Sequence, residues 1–281
     1  MNLCSTSVCN LSVTSLCYTN KAIMPALVLL TLAPPLAPQL ATLTLNRPVR
    51  HNSLILELLE DLLTAFEMIR AEPDIRAVVL QANGRSFSTG GDLQGFADHL
   101  DTLETYSHRI VGLLNQVILT MLDFPLPIIT AVHGIVTGGS LGLVLASDVV
   151  LVSEGASFTP YYSVVGFSPD GGWTAILPNL IGLRRTSEIL LANRTITAEQ
   201  AVAWGLANHL VPAETLHADA HTLAQKIATH QSLSIQQTKQ ALRSSLGDLE
   251  TRLESERERF VQTIMRPETQ ESMMKFLKRK T

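Results

Sequence analysis

The sequence predicts an α/β fold built from repeated units. Short apolar runs typical of buried strands alternate with amphipathic helical segments, and glycine-rich turns follow two of these runs. After Ala198 the pattern changes to helical segments without intervening strands. The chain has 281 residues, 46% of them hydrophobic, which is enough to bury a large core. We therefore predict an α/β core over residues 24–197 and a helical region over residues 198–281.

Residues 1–23 are predicted to form a disordered extension. The first twenty carry no charge and are rich in Ser, Thr and Cys, which suits neither a signal peptide nor a packed element. The chain's three cysteines all lie there, so neither a disulfide framework nor a metal site is expected. Four prolines interrupt the uncharged run from Ala22 to Asn46, which argues against a membrane helix. We expect a cytoplasmic protein that makes no membrane contact.

The first elements are predicted to be two strands and a helix. Leu27–Thr31 and Ala41–Leu45 have the pattern of an antiparallel pair. Asn52 or Ser53 is expected to cap a helix that runs to about Glu72. The helix is indicated by apolar residues that share one face, namely Leu54, Leu58, Leu62, Phe66 and Ile69.

Two glycine-rich turns about fifty residues apart point to a reaction class. The strand Arg76–Ala82 leads into the turn Ser86–Asp92. After a helix over about Leu103–Leu122, the strand Pro127–Val132 leads into the turn His133–Gly142. Each turn presents glycine N–H groups at a strand end or helix start, without a Cβ in the way. Two such groups that converge on one point would form an oxyanion hole, which predicts stabilisation of a thioester enolate or a related anion.

The remaining elements are mostly helical. A buried helix over Ser140–Ala146 precedes a strand over Val149–Val152. Four helices are predicted beyond residue 197, over Ala198–Trp204, His217–Thr229, Ile235–Ser245 and Leu249–Met265. The charged run Glu254–Arg259 in the last helix is interpreted as surface ion pairs. The net charge of −4 argues against nucleic acid as a partner, because a phosphate backbone needs a concentrated basic face.

Three segments, taken in their order and spacing, resemble the crotonase superfamily, the enoyl-CoA hydratase and isomerase family. They are Phe87–Leu93, the Ala131–Gly134 segment with its Gly138-Gly139 pair, and Asn193–Ala201 before Trp204-Gly205-Leu206. The resemblance spans about Met24–Thr281 and implies a spiral of repeated ββα units with a helical C-terminal trimerisation region. It also implies assembly as a homotrimer or a dimer of trimers.

The resemblance implies an acyl-CoA thioester as the substrate. Its carbonyl oxygen would accept hydrogen bonds from the N–H groups of Gly91 and Gly139. Gly139 lies at the start of the predicted helix Ser140–Ala146, where free N–H groups and the helix dipole favour negative charge. Coenzyme A is then part of the substrate, and neither a separate cofactor nor a metal is expected.

The residues at the matching catalytic positions disfavour hydration of an enoyl-CoA. Hydratases of the superfamily use two carboxylates, and the matching positions here are Gly142 and Tyr162. Neither exchanges a proton as a carboxylate does at neutral pH. In isomerases of the superfamily an acid at the position of Asp170 moves a proton between C2 and C4. Apolar neighbours such as Phe167 and Trp173 are expected to raise the pKa of Asp170 toward that of a useful base.

We therefore predict an acyl-CoA isomerase with Asp170 as its base. One alternative is another enolate-dependent reaction on a CoA thioester, such as hydrolysis or decarboxylation. Another is a catalytically silent member that binds acyl-CoA. Aryl-CoA dehalogenases of the superfamily carry a nucleophilic Asp at the position of Asp170. They also use a histidine base where this chain has Leu113, and this disfavours dehalogenation.

Further residues are predicted to bind the substrate. Aromatic residues expected to line the acyl pocket are Tyr161, Tyr162 and Trp173. Basic residues expected to meet the CoA phosphates are Arg47 and Arg50. The resemblance adds a C-terminal phenylalanine and a basic residue from a neighbouring subunit, which match Phe276 and Lys278 or Arg279. Asp92 is expected to hold its loop through side chain to backbone hydrogen bonds.

Overall fold

Two β-sheets form the centre of the protein. The computed structural model describes residues 27–32, 40–244 and 246–278, so the predicted extension over residues 1–23 lies outside the described residues. The strands are β1 (Val28–Leu32), β2 (Leu40–Leu45), β3 (Ala77–Ala82), β4 (Ile128–Val132), β5 (Ile135–Thr137), β6 (Val149–Ser153), β7 (Ser157–Thr159), β8 (Ile196–Thr197) and β9 (His209–Val211). The larger sheet has the order β1-β2-β3-β4-β6-β9, and the smaller has the order β5-β7-β8.

Helices surround these sheets and dominate the C-terminal third of the chain. They are α1 (Leu56–Arg70), α2 (Leu93–Asp98), α3 (Leu103–Leu122), α4 (Leu141–Leu145), α5 (Tyr162–Val165), α6 (Leu177–Ile181), α7 (Leu183–Leu191), α8 (Ala198–Trp204), α9 (Leu216–Ala228), α10 (Ser232–Ser244), α11 (Leu249–Ile264) and α12 (Pro267–Lys278). No helix within the described ranges is long and apolar enough to span a lipid bilayer.

The larger sheet is mostly parallel. β1 runs antiparallel to β2, as predicted, with Val28 opposite Leu45. The pairs from β2 through β3, β4 and β6 to β9 are all parallel. Parallel strands end at the same edge of a sheet, so the turns that follow β3 and β4 lie side by side.

Strand alternation divides the core into two parts. Val78 and Leu80 of β3 belong to the main core, which α1, α3 and α11 help to form. Ala77 and Val79 point to the opposite face, where they pack against α9. The strand is buried on both faces and therefore reads as a continuous apolar run, as expected for a parallel sheet.

The prediction that only helices follow Ala198 is wrong at one place. Residues His209–Val211 form β9, which extends the larger sheet by pairing with β6, Leu151 opposite His209. The strand is only three residues long, and its partner lies far away in the sequence. Neither a period of two nor a local turn therefore signals it.

The predicted cap of the first helix is also wrong. α1 begins at Leu56 with Ile55 at its N-cap. Asn52 instead has a left-handed backbone (φ 52°) and donates hydrogen bonds from its amide to the carbonyls of Asn83 (2.8 Å) and Ser86 (2.9 Å). These bonds tie the segment before α1 to the approach of the first glycine turn.

A buried lysine attaches α10 to the core. The Nζ of Lys239 donates to a carboxylate oxygen of Asp148 at 2.7 Å. It also donates to the carbonyls of Met121 and Leu126, both at 3.1 Å. Every donor of the ammonium group thus has an acceptor, which a buried charge requires.

Candidate active site

The two glycine-rich turns lie against each other. Ser88 N–H donates to the carbonyl of Ile135, and Thr137 N–H donates to the carbonyl of Ser88, both at 3.2 Å. Gly90 has φ 74°, and a Cβ at this position would lie 2.5 Å from the carbonyl oxygen of Thr137. Only glycine fits there, because both the backbone conformation and the close contact exclude a side chain.

Gly91 and Gly139 present N–H groups from these adjacent turns. Leu54 pairs with the neighbours of Gly91, donating to Gly90 and accepting from Asp92, and no backbone acceptor among the described residues takes the Gly91 N–H. Gly139 lies in the 3₁₀ turn Gly138–Ser140 that leads into α4. N–H groups in a first helical turn have no partner within the helix. Gly91 thus has a free donor, and Gly139 lies where the helix supplies no acceptor.

A cavity of about 600 Å³ opens beside the turns. Six of the residues that line it are Gly91, Gly138, Tyr161, Tyr162, Asp170 and Phe276. Gly139 lies directly behind this wall, since a Cβ there would be 3.0 Å and 3.2 Å from the two carboxylate oxygens of Asp170. The structure therefore brings the predicted acid and both glycine turns to one cavity.

Asp170 is almost fully buried, with 6% of its surface exposed. The hydroxyl of Tyr162 donates to its Oδ1 at 2.5 Å. Burial raises the pKa of Asp170 to about 7, the Tyr162 hydrogen bond opposes this rise, and the negative charge of Glu256 adds to it. A carboxyl group that titrates near neutral pH can both take up and release a proton, as general acid–base catalysis requires. Burial also raises the pKa of Tyr162 well above its usual value, so its hydroxyl stays a donor.

The hydratase carboxylate positions provide no second acid. A Cβ at Gly142 would clash with Ile118 and would lie 2.9 Å from the carbonyl oxygen of Gly171. The surrounding core therefore leaves no room for a carboxylate at that position. At the other position the Tyr162 hydroxyl is used to hold Asp170.

Glu256 is a residue of this site that the sequence interpretation missed. Its neighbours follow the prediction, since Arg257 pairs with Glu254 on the surface of α11. Glu256 itself is 1% exposed and binds the turn after Asp170. It lies on the buried face of α11, whose other members are Leu249, Leu253, Phe260, Val261 and Ile264. A charged residue in this helical stripe was the signal that could have revealed it.

Tyr161 and Phe276 form one side of the cavity. Tyr161 has a left-handed backbone (φ 59°) and its ring centroid lies 6.0 Å from that of Phe276. The resemblance implied a phenylalanine supplied by a neighbouring subunit. In the structure Phe276 lines the cavity of its own chain, because α12 packs against α2 and α5.

Trp173 does not line the cavity, contrary to the prediction. Its side chain is fully buried, and its indole N–H donates to the carbonyl of Gly138 at 2.8 Å. The indole instead supports the second glycine turn from behind. The ring of Tyr162 meets it edge to face, with centroids 6.2 Å apart.

Arg47 and Arg50 converge on Asp92. Arg47 donates to Asp92 at 2.8 Å and Arg50 at 3.0 Å. Burial favours a higher pKa for Asp92, but hydrogen bonds from both arginines outweigh it, and the net pKa is lowered. Asp92 also accepts from the N–H of Gln94 at 3.2 Å, capping α2. Asp92 thus holds its loop by ion pairs as well as by the predicted backbone bond.

Two of the basic residues predicted to contact CoA, Arg50 and Lys278, are exposed to solvent. The side chain of Arg50 is 51% exposed and lines the cavity, whereas that of Arg47 is 19% exposed and also donates to Ser53. Lys278 lies exposed at the end of α12, two residues beyond Phe276.

The fold and sequence match known proteins over most of the chain. Residues 37–281 match the family model described as enoyl-CoA hydratase/isomerase. A "Probable enoyl-CoA hydratase" of Mycobacterium bovis is 34% identical over 78% of this chain and 79% of its own length. The 1,2-epoxyphenylacetyl-CoA isomerase of Escherichia coli is 32% identical over 77% of this chain and 84% of its own.

A solved enoyl-CoA hydratase/isomerase from Mycobacterium paratuberculosis superposes with a TM-score of 0.81 at 27% identity. The match covers 90% of this chain and 99% of that one. These matches confirm the predicted crotonase-type α/β fold with its helical C-terminal region. The chain belongs to the enoyl-CoA hydratase/isomerase family.

Proposed function

We propose that the protein is an acyl-CoA isomerase that shifts a double bond from C3 to C2 of an enoyl-CoA. The ionised carboxylate of Asp170 removes a proton from C2, and the electrons delocalise into a dienolate. The N–H groups of Gly91 and Gly139 bind the negatively charged thioester oxygen. Protonated Asp170 then returns the proton to C4, so a C2–C3 double bond forms as the C3–C4 double bond is lost. The scheme uses protein groups and the substrate alone.

One observation carries this proposal: the cavity holds a single carboxyl group suited to proton exchange near neutral pH. Asp170 has a pKa of about 7. Asp92 also lines the cavity, but its pairing with two arginines lowers its pKa, so it stays ionised. Water addition in the hydratase manner needs two carboxylates, whereas one carboxylate that reaches two carbons suffices for isomerisation.

The aromatic lining suggests a second acyl group to test. Phe96, Phe167 and Phe260 line the cavity, and their ring centroids are 5.2–5.9 Å apart. The relative from Escherichia coli is named for a phenylacetyl-CoA epoxide. We propose that the cavity accepts ring-bearing acyl groups. The test is to compare ring-bearing acyl thioesters with linear 3-enoyl thioesters as substrates.

The proposal includes the environment of the CoA moiety and the assembly. Arg50 and Lys278 are proposed to contact the CoA phosphates, with Arg47 fixed by Asp92 in a supporting position. The protein is proposed to act in the cytoplasm as a homotrimer or a dimer of trimers. Light scattering coupled to gel filtration measures the assembly, and a monomer in solution would contradict that part.

The deciding experiment compares wild type with Asp170→Asn in conversion of 3-enoyl-CoA to 2-enoyl-CoA. Loss of a general base reduces the rate about 10²- to 10⁴-fold. The matched control is Asp74→Asn, an exposed position in the turn after α1, which should keep wild-type turnover. If Asp170→Asn retains full activity, Asp170 is not the base. If wild type binds CoA thioesters without turning over any of them, the protein is a binding member of the family.

A further inference from the structure

Glu256 is a buried carboxylate surrounded by hydrogen-bond donors. Its Oε2 accepts from the N–H of Gly172 at 2.7 Å. Its Oε1 accepts from the N–H and the hydroxyl of Thr174, both at 2.7 Å, and from the N–H of Ala175 at 2.8 Å. Burial raises the pKa of Glu256 above its usual value, and these hydrogen bonds oppose the rise, because a protonated carboxyl group would direct its own O–H toward donors.

The turn that Glu256 binds carries Asp170. Gly171 and Gly172 directly follow the acid, and both have left-handed backbones (φ 63° and 85°). A Cβ at Gly171 would lie 2.5 Å from the carbonyl oxygen of Gly139, so the two backbones are in direct contact. A shift of this turn therefore moves Asp170 and the second glycine turn together.

Glu256 acts on Asp170 by charge as well as by position. The negative charge of Glu256 repels that of ionised Asp170, and this repulsion favours the protonated form of Asp170. The groups around Asp170 that carry charge or titrate lie on two elements. On α5 it is Tyr162, which donates to Asp170. On α11 they are Glu256, whose charge acts on Asp170, and Arg252, which donates to the carbonyl of Thr174 at 3.5 Å.

We propose that Glu256 is a positioning residue of the isomerase site. It holds the Asp170 turn from the C-terminal helix α11 and keeps a negative charge beside the acid. This assignment rests on the proposed function, because it supplies the base with its geometry and its proton affinity. The alternative is that Glu256 only fastens α11 to the core.

The test compares pH profiles of kcat/KM for wild type, Glu256→Gln and Thr174→Val. Removing the charge of Glu256 should move the acidic limb, on which the base becomes ionised, to lower pH by roughly one unit. Thr174→Val removes one hydrogen bond from the same carboxylate but leaves its charge, so the limb should stay in place. An unmoved limb in Glu256→Gln would overturn the proposal, as would an equal shift in Thr174→Val.

A second measurement separates this inference from the proposed function. Difference infrared titration of the Asp170 carboxyl group, with Asp170→Asn as the reference, needs no turnover. The Asp170 midpoint should fall in Glu256→Gln even if wild type proves inactive on 3-enoyl-CoA, a result that would refute the proposed function alone. An unchanged midpoint would refute the role of Glu256 alone.

If Glu256→Gln does not fold, Glu256→Asp decides. It keeps the charge but is one methylene shorter, so the limb should stay near that of wild type while kcat falls as the turn loosens. A limb that moves down by a full unit in this charged variant would overturn the proposal.

Discussion

Tyr162→Phe removes one hydroxyl from the site and leaves the rest of the ring. The Tyr162 side chain is buried, and its hydroxyl donates to Oδ1 of Asp170 at 2.5 Å. Phenylalanine fills the same space and preserves the edge-to-face contact with Trp173. The ionised form of Asp170 then loses a hydrogen bond that the protonated form needs less, so the pKa of Asp170 should rise.

The size of this rise follows from the strength of the bond. A hydrogen bond to a charged group contributes about 1.5–3 kcal/mol, which corresponds to about 1–2 pKa units at 1.36 kcal/mol per unit. Starting from a pKa of about 7, Asp170 would then titrate at about 8–9. At pH 7 the ionised fraction would fall from about one half to between about a tenth and a hundredth. The rate at pH 7 should therefore fall about 5- to 50-fold.

The assay is kcat/KM for 3-enoyl-CoA isomerisation as a function of pH. The acidic limb should move to higher pH, and activity should recover above pH 9, where Asp170 is again ionised. Tyr161→Phe is the matched control, because it removes the same group from the neighbouring residue, whose side chain is 40% exposed. Its limb should not move. A limb of Tyr162→Phe that stays in place or moves to lower pH would refute the electrostatic account of Asp170.

Three further predictions concern stability and space. Asp170→Asn should stabilise the fold at pH 8 by up to about 4 kcal/mol, because the pKa of Asp170 rises from 3.8 to about 7 on folding and its buried charge costs stability above that pH. The gain should disappear as the pH falls toward 4, and thermal melts that show no such pH dependence would contradict it. Gly139→Ala should lower kcat about 10- to 100-fold, because the new methyl would lie 3.0 Å from an Asp170 oxygen and 2.7 Å from Leu114. Adding Leu114→Ala to Gly139→Ala should restore part of the rate. Full activity of Gly139→Ala alone would contradict the prediction, because it would show that the new methyl group fits without moving Asp170. Lys239→Ala should cost about 1.5–3 kcal/mol in urea unfolding, since it removes the donor to the carbonyls of Met121 and Leu126 and the cation that pairs with the partly exposed Asp148. Lys226→Ala, at an exposed position, should cost less than about 0.5 kcal/mol, and equal costs for the two variants would show that the contacts of Lys239 add no stability.

Residues that act through their own backbone were predictable from the sequence. Gly90 and Gly138 need positive φ, and a glycine pair after an apolar run is a local signal for such a turn. Asp170 was identified through the family resemblance, since its Pro-Asp-Gly context by itself indicates only a turn. Burial raises the pKa of Asp170, as expected, and the charge of Glu256, which was not expected, adds to the rise.

Residues that act through long-range contacts were not predictable. Trp173 was expected in the cavity wall, yet its indole binds Gly138 from behind. Arg47 and Arg50 share Asp92, which lies more than forty positions away in the sequence, and no local pattern indicates that contact. The sequence shows which side chains are apolar or charged, but not which of them meet.

The sequence alone determined the order of strands and helices around the glycine turns and the lack of carboxylates at the two hydratase positions. The order of the elements depends on periods of two or about 3.6 residues, which each segment carries locally, whereas the two hydratase positions are known through the family resemblance. Only the tertiary structure decided that β9 joins the larger sheet, that Phe276 lines the cavity of its own chain, and that Glu256 binds the turn after Asp170. Glu256 and Gly172 are 84 positions apart, and a contact over that distance exists only once packing has brought α11 against the core.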